Sequence, residues 1–189
     1  LSPDQLDNAD IIGDAYEYMI GEFATMAGKK AGSFFTPQQV SEIMAQIVAP
    51  KENDRVYDPT CGSGSLLIRA ARKGGFDKVQ MYGQERNSSA LSMARMNMFI
   101  HDIDDAIIYQ GDTIANPQNV EDGKLMQFQC IVANPPFSLD KWANGYAADS
   151  NDKDFKMSKE LDPYKRFDWG VPPKSKGDYA FILHMLHCL

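Results

Sequence analysis

The apolar positions of the chain first follow a helical period. Over residues 1–31 they recur at helical spacing, and a glycine followed by two lysines predicts the end of that helix. A second apolar stripe over residues 40–48 predicts another helix. Thr36 is expected to be its N-cap, Pro37 its first helical residue and Gln39 the partner in a capping box.

After Asp54 the pattern alternates between strands and helices. The short apolar runs "RVYD", "VQMYGQE", "AIIYQGD" and "CIV" predict four strands. Helices are predicted after "PTCGSGS" and over "NSSALSMARMNMFIH", where Asn87 is the expected N-cap. This alternation predicts an α/β fold with a mostly parallel sheet and right-handed crossovers. Four strands make an unfinished sheet, so we expect the chain to be a piece of a longer polypeptide.

Residues 138–177 show no convincing period. The segment is polar, with glycine, proline, aspartate and lysine throughout and scattered aromatic residues. A segment of this length without regular structure predicts a long, mobile and solvated loop. The last residues, "GDYAFILHMLHCL", predict a final helix.

Composition and charge narrow the classes of function. The net charge is -7, whereas a protein that binds nucleic acid alone is usually basic. The acidity still allows a subunit that acts on nucleic acid held by a partner. No apolar run is long enough for a bilayer and the first residues lack a signal sequence, so a cytoplasmic protein is expected.

The cysteines and histidines suggest no metal site. Cys61, Cys130 and Cys188 lie far apart, without the spacing of a disulfide framework or a zinc site. His184 and His187 are one helical turn apart but lack further ligands nearby in sequence, so both are interpreted as helix-surface or core residues. Cys61 is expected to be open to thiol reagents.

The stretch "DPTCGSGS" has the features of a cofactor loop. Asp58 ends a strand, and Gly62 and Gly64 allow a sharp turn and close approach of a ligand to the backbone. The following helix directs its first N–H groups to the same place. Leu67 stands where the dinucleotide-binding pattern requires a third glycine, so a nucleotide-like cofactor is predicted without that fingerprint.

Two more acidic residues end the next strands. Glu85 is suited to accept hydrogen bonds from ribose hydroxyls, and Asp112 could hold an adenine amino group. Each acid alone is equally well explained as a solvated residue at a strand end. Three of them at the carboxyl edge of one sheet predict a cofactor site.

The stretch "ANPPF" suggests chemistry on a planar amino group. The Asn134 side-chain oxygen and the Pro135 carbonyl could accept both hydrogens of an exocyclic –NH2 group, and Phe137 could stack on its ring. Such a site works by positioning and electrostatics. The alternative is a proline-terminated strand followed by a core phenylalanine.

Together these motifs carry a family resemblance. "DPTCGSGSLL", "ANPPF" and the upstream "GSFFTP" resemble the S-adenosylmethionine-dependent class I DNA N6-adenine methyltransferases, and more closely the modification subunit of type I restriction-modification enzymes. "DAYEYMIGEFA", "YGQE", "GDT" and "GDYAFILHMLH" match that subunit's pattern in order. The resemblance implies a Rossmann-like methyltransferase domain over residues 32–189, preceded by a helical segment over residues 1–31.

The resemblance also assigns residues to roles. Asn134, Pro135, Pro136 and Phe137 would form the catalytic motif that receives an adenine flipped out of the duplex. Tyr179 and Phe181 would shape the base pocket, or are core aromatics. The implied cofactor is S-adenosylmethionine, and the residues expected to bind it are Ser33, Phe34, Phe35, Thr36, Pro37, Gln38, Asp58, Thr60, Cys61, Gly62, Ser63, Gly64, Glu85, Asp112, Thr113 and Asn134.

The family further implies partners. DNA would be reached through a complex with a specificity subunit that reads the sequence, a second copy of the modification subunit and a restriction motor-nuclease subunit. Residues 138–177 would meet DNA or these partners. Three other interpretations remain open at this point: a related enzyme that methylates RNA or protein glutamine, a non-catalytic cofactor-binding scaffold, and a nicotinamide dehydrogenase.

Overall fold

A parallel four-stranded sheet organises the molecule. Its strands are β1 (Arg55–Asp58), β2 (Gln80–Glu85), β3 (Ile107–Gln110) and β6 (Cys130–Ile131), while β4 (Val120–Glu121) and β5 (Lys124–Leu125) pair separately as a small antiparallel hairpin. The order in the sheet is β3-β2-β1-β6, and every neighbouring pair is parallel. The predicted α/β class and the four predicted strands are confirmed.

The computed structural model describes residues 11–27, 35–152 and 154–189. Its α-helices are α1 (Ile11–Ala27), α2 (Gln38–Val48), α3 (Ser65–Gly74), α4 (Ser88–Ile100) and α5 (Gly177–His187). Residues 1–10 of the predicted N-terminal helix lie outside the described ranges, as do its predicted end at Gly28, Lys29 and Lys30 and the residues Ser33 and Phe34. None of the helices within those ranges combines the length and the apolar character that crossing a bilayer would require.

Alternating side chains give the sheet two buried faces. Val56 and Met81 pack into a core with α3 and α4, whereas their chain neighbours Tyr57 and Tyr82 pack with Phe128 on the other face. Burial on both faces is what a parallel sheet covered by crossover segments requires. The Tyr57 and Phe128 rings stack with their centroids 4.4 Å apart.

The predicted N-caps of α2 and α4 differ in outcome. Asn87 caps α4 as expected, because its side chain accepts hydrogen bonds from the N–H groups of Ser89 and Ala90. Thr36 does not cap α2, so that prediction is wrong. Pro37 occupies the N-cap position with extended backbone, no side chain caps the helix, and the Thr36 hydroxyl is bonded elsewhere.

The β4–β5 hairpin was not predicted. Its turn residues, Asp122 and Gly123, both have positive φ angles of 50° and 75°. An Asp-Gly pair in this conformation is a strong signal for a two-residue hairpin. The signal was missed because each strand is only two residues long.

The segment 138–177 buries several of its aromatic residues. Trp142 is 2% exposed and Phe167 is fully buried, and both pack with Ile114 and Phe181 in a third apolar cluster. The prediction of a solvated loop is therefore wrong for these side chains. They pack without any helical or strand period, which is why periodicity did not find them. The mobility of the segment stays a prediction.

A buried arginine ties this segment to the sheet. Arg166 forms an ion pair with Asp162 at 2.7 Å and donates to the carbonyls of Thr113 and Ile114 at 3.3 and 2.7 Å. Its guanidinium also lies 3.1 Å from His184 Nδ1, which must accept because arginine only donates. The remaining proton of the neutral ring is thus on Nε2, toward the Tyr57 hydroxyl at 3.2 Å.

His184 is accordingly a core residue, one of the two alternatives expected for it. Burial, and secondarily the Arg166 charge, lower its pKa well below the ordinary value, so the ring stays neutral. This network explains how an arginine can be buried, because its donors meet a carboxylate, two carbonyls, a ring nitrogen and the Tyr146 hydroxyl.

Two aromatic residues, two positions apart, test the packing of this segment. Replacing Phe167, fully buried, by Ala should lower the free energy of unfolding by about 3–5 kcal/mol. Replacing Trp169, which is 78% exposed, by Ala should change it by no more than about 0.5 kcal/mol. Urea unfolding of the complete polypeptide measures both. Equal effects would contradict the packing described here.

Candidate active site

An open cavity of about 570 Å³ lies at the carboxyl ends of the parallel strands. From β1 the chain adds β2 and then β3 on one side of the sheet, and it returns from β3 to place β6 on the other side of β1. The strand order therefore reverses beside β1, and open α/β sheets bind ligands in the crevice at such a point. We call this the central cavity; its lining includes Thr60, Glu85, Asp112, Thr113, Asn134 and Phe181.

A smaller recess of about 20 Å³ adjoins the central cavity. It is lined by Phe35, Thr36, Asp58, Thr60, Cys61, Gly62, Ser63, Ser65, Leu66 and Asn134. Thr60 and Asn134 belong to both spaces, so these two residues mark where the recess meets the cavity. The glycine-rich loop and the tip of β6, predicted separately, are therefore brought together.

The glycine-rich loop turns through two residues in left-handed conformation. Gly62 has φ 55° and Gly64, at the start of α3, has φ 79°. A Cβ atom at Gly64 would also stand 3.2 Å from the Met98 methyl group. Any side chain at position 64 would therefore be unfavourable for two reasons, the left-handed backbone angle and the close contact with α4.

Glu85 anchors the loop from below. One carboxylate oxygen accepts the Gly62 N–H at 2.9 Å, and the other accepts the Asn87 N–H at 2.7 Å. Since a carboxylate offers about four acceptor positions, two remain for a ligand. Glu85 thus builds the loop and can also accept hydrogens from a bound molecule.

Asp112 is largely engaged by its own turn. One oxygen accepts the N–H groups of Ile114 and Ala115 at 2.9 and 3.1 Å, and the other lies 3.2 Å from an Arg86 guanidinium nitrogen. Thr113 donates its hydroxyl to the Pro59 carbonyl at 2.5 Å and so joins the tips of β1 and β3.

Asp58 is buried at the tip of β1. Its side chain accepts the Thr60 N–H at 2.9 Å. Burial raises the pKa of Asp58 to about 7, and the nearby Glu85 charge acts in the same direction. The carboxyl therefore keeps its proton to a higher pH than an exposed aspartate does.

Cys61 is buried, in contrast to the expected reactivity with thiol reagents. Burial, followed by the charges of Asp58 and Glu85, raises the pKa of its thiol well above the ordinary value. Since the thiolate is the reactive form, a protonated buried thiol is inert. The expectation is corrected accordingly.

Asn134 is half-buried and faces the point where the recess meets the cavity. Its side-chain nitrogen donates to the Thr36 hydroxyl oxygen at 3.2 Å. Pro136 lines the cavity, and Pro135 connects the two. Phe137 is 80% exposed, so the alternative in which it is a core residue is wrong.

Other residues lie at a distance from the centre. Pro37 and Gln38 line a separate groove of about 600 Å³ beside α1, with Phe35 and Thr36 at its border. Phe181 is buried and lines the central cavity, whereas Tyr179 is 59% exposed and points away from the core.

Some residues of the cavity wall were not predicted. They include Arg86, Asn87, Ser88, Ser89, Gly111 and Leu139. The position of Asn87–Ser89 in the cavity wall could have been predicted from the sequence. These residues begin a helix almost directly after Glu85, so they must lie beside the end of the same strand. Leu139 had no local signal, since only the folding of the 138–177 segment brings it to the cavity.

Comparison with known proteins decides the family. Residues 7–189 match the family described as N-6 DNA Methylase. The chain belongs to this family. The predicted resemblance is therefore confirmed.

Named relatives agree with this assignment. The type I restriction enzyme MpnII methylase subunit of Mycoplasma pneumoniae is 38% identical over 195 residues, which cover 97% of this chain and 34% of the relative. The HindI methylase subunit of Haemophilus influenzae is 35% identical over 193 residues, covering 99% and 39%. The chain thus spans 34% and 39% of the lengths of these two relatives.

A solved structure shows the same fold. The type I restriction-modification methyltransferase subunit from Streptococcus thermophilus superimposes with a TM-score of 0.76 at 38% identity, over 95% of this chain and 37% of that protein. The type I restriction enzyme EcoKI M protein has a TM-score of 0.58 at 22% identity, over 84% and 32%. The domain has the class I methyltransferase fold, as predicted.

The buried Asp58 carboxyl predicts a pH effect on stability. Its folded pKa of about 7 exceeds the ordinary 3.8, so the folded state keeps a proton that the unfolded chain releases. Between these values its contribution should lower the free energy of unfolding as pH rises, by at most about 1.4 kcal/mol per pH unit. Asp58→Asn cannot titrate and lacks this contribution.

Urea unfolding of both proteins between pH 5 and pH 7.5 tests this, because the other carboxyl groups contribute equally to each. The Asp58→Asn protein should become the more stable of the two as the pH rises. Parallel pH profiles would show that Asp58 is ionised throughout that range in the folded protein.

Proposed function

We propose that this domain transfers a methyl group from S-adenosylmethionine to the N6 amino group of adenine in DNA, as part of the modification subunit of a type I restriction-modification complex. The observation that carries the proposal is the place of Asn134. It stands at the border of the central cavity and the glycine-rich recess, beside residues suited to a nucleoside.

The residues of the central cavity fit S-adenosylmethionine. The volume lies within the range of small-molecule sites, and two free acceptor positions on Glu85 suit the ribose hydroxyls. Gly62 and Gly64 leave the loop without side chains where a ligand would approach. Asp112 and Thr113 would border the adenine ring. When bound, S-adenosylmethionine would supply a methyl group activated by a sulfonium and would leave as S-adenosylhomocysteine, while the methylated amino group would release one of its protons.

The chain's own residues then hold the target. The Asn134 oxygen and the Pro135 carbonyl accept the two hydrogens of the adenine amino group, which directs its lone pair into the cavity. The exposed Phe137 ring offers a surface for stacking of the base. An amino group engaged in base pairing cannot be held this way, so the adenine must leave the duplex.

The acceptors work because they are fixed before the base arrives. Proline restricts the backbone that carries the Pro135 carbonyl, and neither acceptor becomes a nucleophile. The catalytic contribution is therefore positioning and electrostatics. The inert Cys61 thiol agrees with a reaction that passes through no covalent enzyme intermediate.

Partners supply the contact with DNA. A net charge of -7 disfavours strong DNA binding by this chain alone. The matched relatives are methylase subunits of type I restriction enzymes, which supports a complex with a specificity subunit, a restriction subunit and a second modification subunit. Such a complex would act in the cytoplasm, where the DNA is.

Substitution of Asn134 tests the proposed reaction. In the complete enzyme, Asn134→Ala should lower methyl transfer to unmodified DNA by at least about 100-fold, because the amino group loses an acceptor. Binding of S-adenosylmethionine should change by less than about threefold, since Glu85 and the glycine-rich loop remain. Transfer of a labelled methyl group and calorimetric titration measure the two quantities.

Glu85→Ala provides the reverse control. This variant should lose affinity for S-adenosylmethionine, because it removes both the acceptors for the ribose hydroxyls and the hydrogen bond that anchors the glycine-rich loop. Parallel assays on RNA and on protein identify the substrate class. Undiminished DNA methylation by the Asn134→Ala enzyme would refute the proposed role. Labelling of RNA or protein, but not of DNA, would refute the proposed substrate.

A further inference from the structure

We propose that Thr36 is a positioning residue that holds the Asn134 side-chain amide in place with its oxygen toward the central cavity. The inference rests on the proposed function, since it concerns how Asn134 would hold the target amino group. An asparagine amide has two ends of almost equal size but opposite polarity. Only the oxygen end can accept a hydrogen from the adenine amino group. If the –NH2 end faced the cavity, two hydrogen-bond donors would face each other.

The amide needs an external partner to hold it. The χ2 torsion of asparagine is broad and roughly two-fold, so sterics alone do not select one orientation. Asn134 stands at a cavity border and is only half-buried, so packing does not enclose it. A hydrogen bond to a fixed neighbour is therefore what can hold the plane of the amide, and the target amino group, which offers only hydrogens, then meets the oxygen end.

Thr36 provides that hydrogen bond from a distant part of the chain. Its hydroxyl oxygen lies 3.2 Å from the Asn134 side-chain nitrogen, across 98 residues of sequence. Thr36 is only 9% exposed and lines the same recess as Asp58 and Gly62. With the nitrogen bonded to Thr36, the oxygen is left for the cavity.

The hydroxyl is available because it does not cap α2. Pro37 occupies the N-cap position, and no side chain bonds to the first N–H groups of the helix. The Thr36 side chain points instead toward β6. A sequence signal that is normally explained by helix capping is thus used here for a contact with the candidate catalytic residue.

The backbone of Thr36 is held by its neighbours. The Phe35 ring packs on Gly21 of α1, where an added Cβ atom would come within 3.0 Å of the ring. On the other side, Pro37 restricts the backbone at the entry to α2. The hydroxyl is therefore presented from a fixed segment, which a positioning role requires.

Two substitutions separate the hydroxyl from the packing of the side chain. Thr36→Val keeps the shape and removes the hydroxyl, and in the complete enzyme it should lower kcat by about 10- to 100-fold. The Kd of S-adenosylmethionine and the KM for DNA should change by less than about threefold. Thr36→Ser keeps the hydroxyl and should restore most of the rate.

Gln39→Ala is a matched control, because Gln39 is exposed in the first turn of the same helix. It should leave kcat unchanged.

Three results would overturn the inference. Thr36→Val could keep the full kcat, it could weaken cofactor binding as much as kcat, or Thr36→Ser could be as impaired as Thr36→Val. A Thr36→Val variant that binds the cofactor more weakly would show that Thr36 binds the cofactor, the role that the family resemblance implies. An impaired Thr36→Ser variant would show that Thr36 acts through the packing of its side chain. An active Asn134→Ala enzyme, in contrast, would refute the proposed function itself, whatever Thr36 does.

Discussion

The parallel pairing of β1 with strands on both sides is the constraint on which the site depends. β2 pairs on one side and β6 on the other, so three strands from distant parts of the chain end at one edge. The helices that follow β1 and β2 pack on one face of the sheet, whereas α5, which follows β6, packs against Tyr57 on the other face. Asp58, Glu85 and Asn134 therefore meet at a crevice by topology, without any local sequence signal that joins them.

The site is also held together by hydrogen bonds between these strand ends. Glu85 bonds the glycine-rich loop and the start of α4, Thr113 bonds the tip of β1, and Arg166 holds the carbonyls that follow β3. The same groups that would contact a cofactor thus keep the cavity open. Most of the polar groups at this edge have protein partners in the absence of a ligand, which is the preorganisation that catalysis by positioning requires.

Sequence reasoning succeeded where the signals were local or periodic. The strands, the α4 cap and the residue types at the strand ends follow from such signals. It failed where a residue distant in sequence provides the hydrogen-bond or packing partner. Thr36 satisfies every local rule for an N-cap, yet its hydroxyl is bonded to Asn134. Trp142 and Phe167 have no period to reveal their burial, because irregular backbone around Arg166 packs them.

The most direct test is a crystal structure of the complete modification subunit with S-adenosylhomocysteine. The account predicts ribose hydroxyls within about 3.2 Å of the Glu85 carboxylate and the sulfur atom beside Asn134, at the border of the central cavity. A ligand in the cavity of about 690 Å³ beside Trp142 and Phe155 would contradict it. So would a sulfur atom that Asn134 cannot approach.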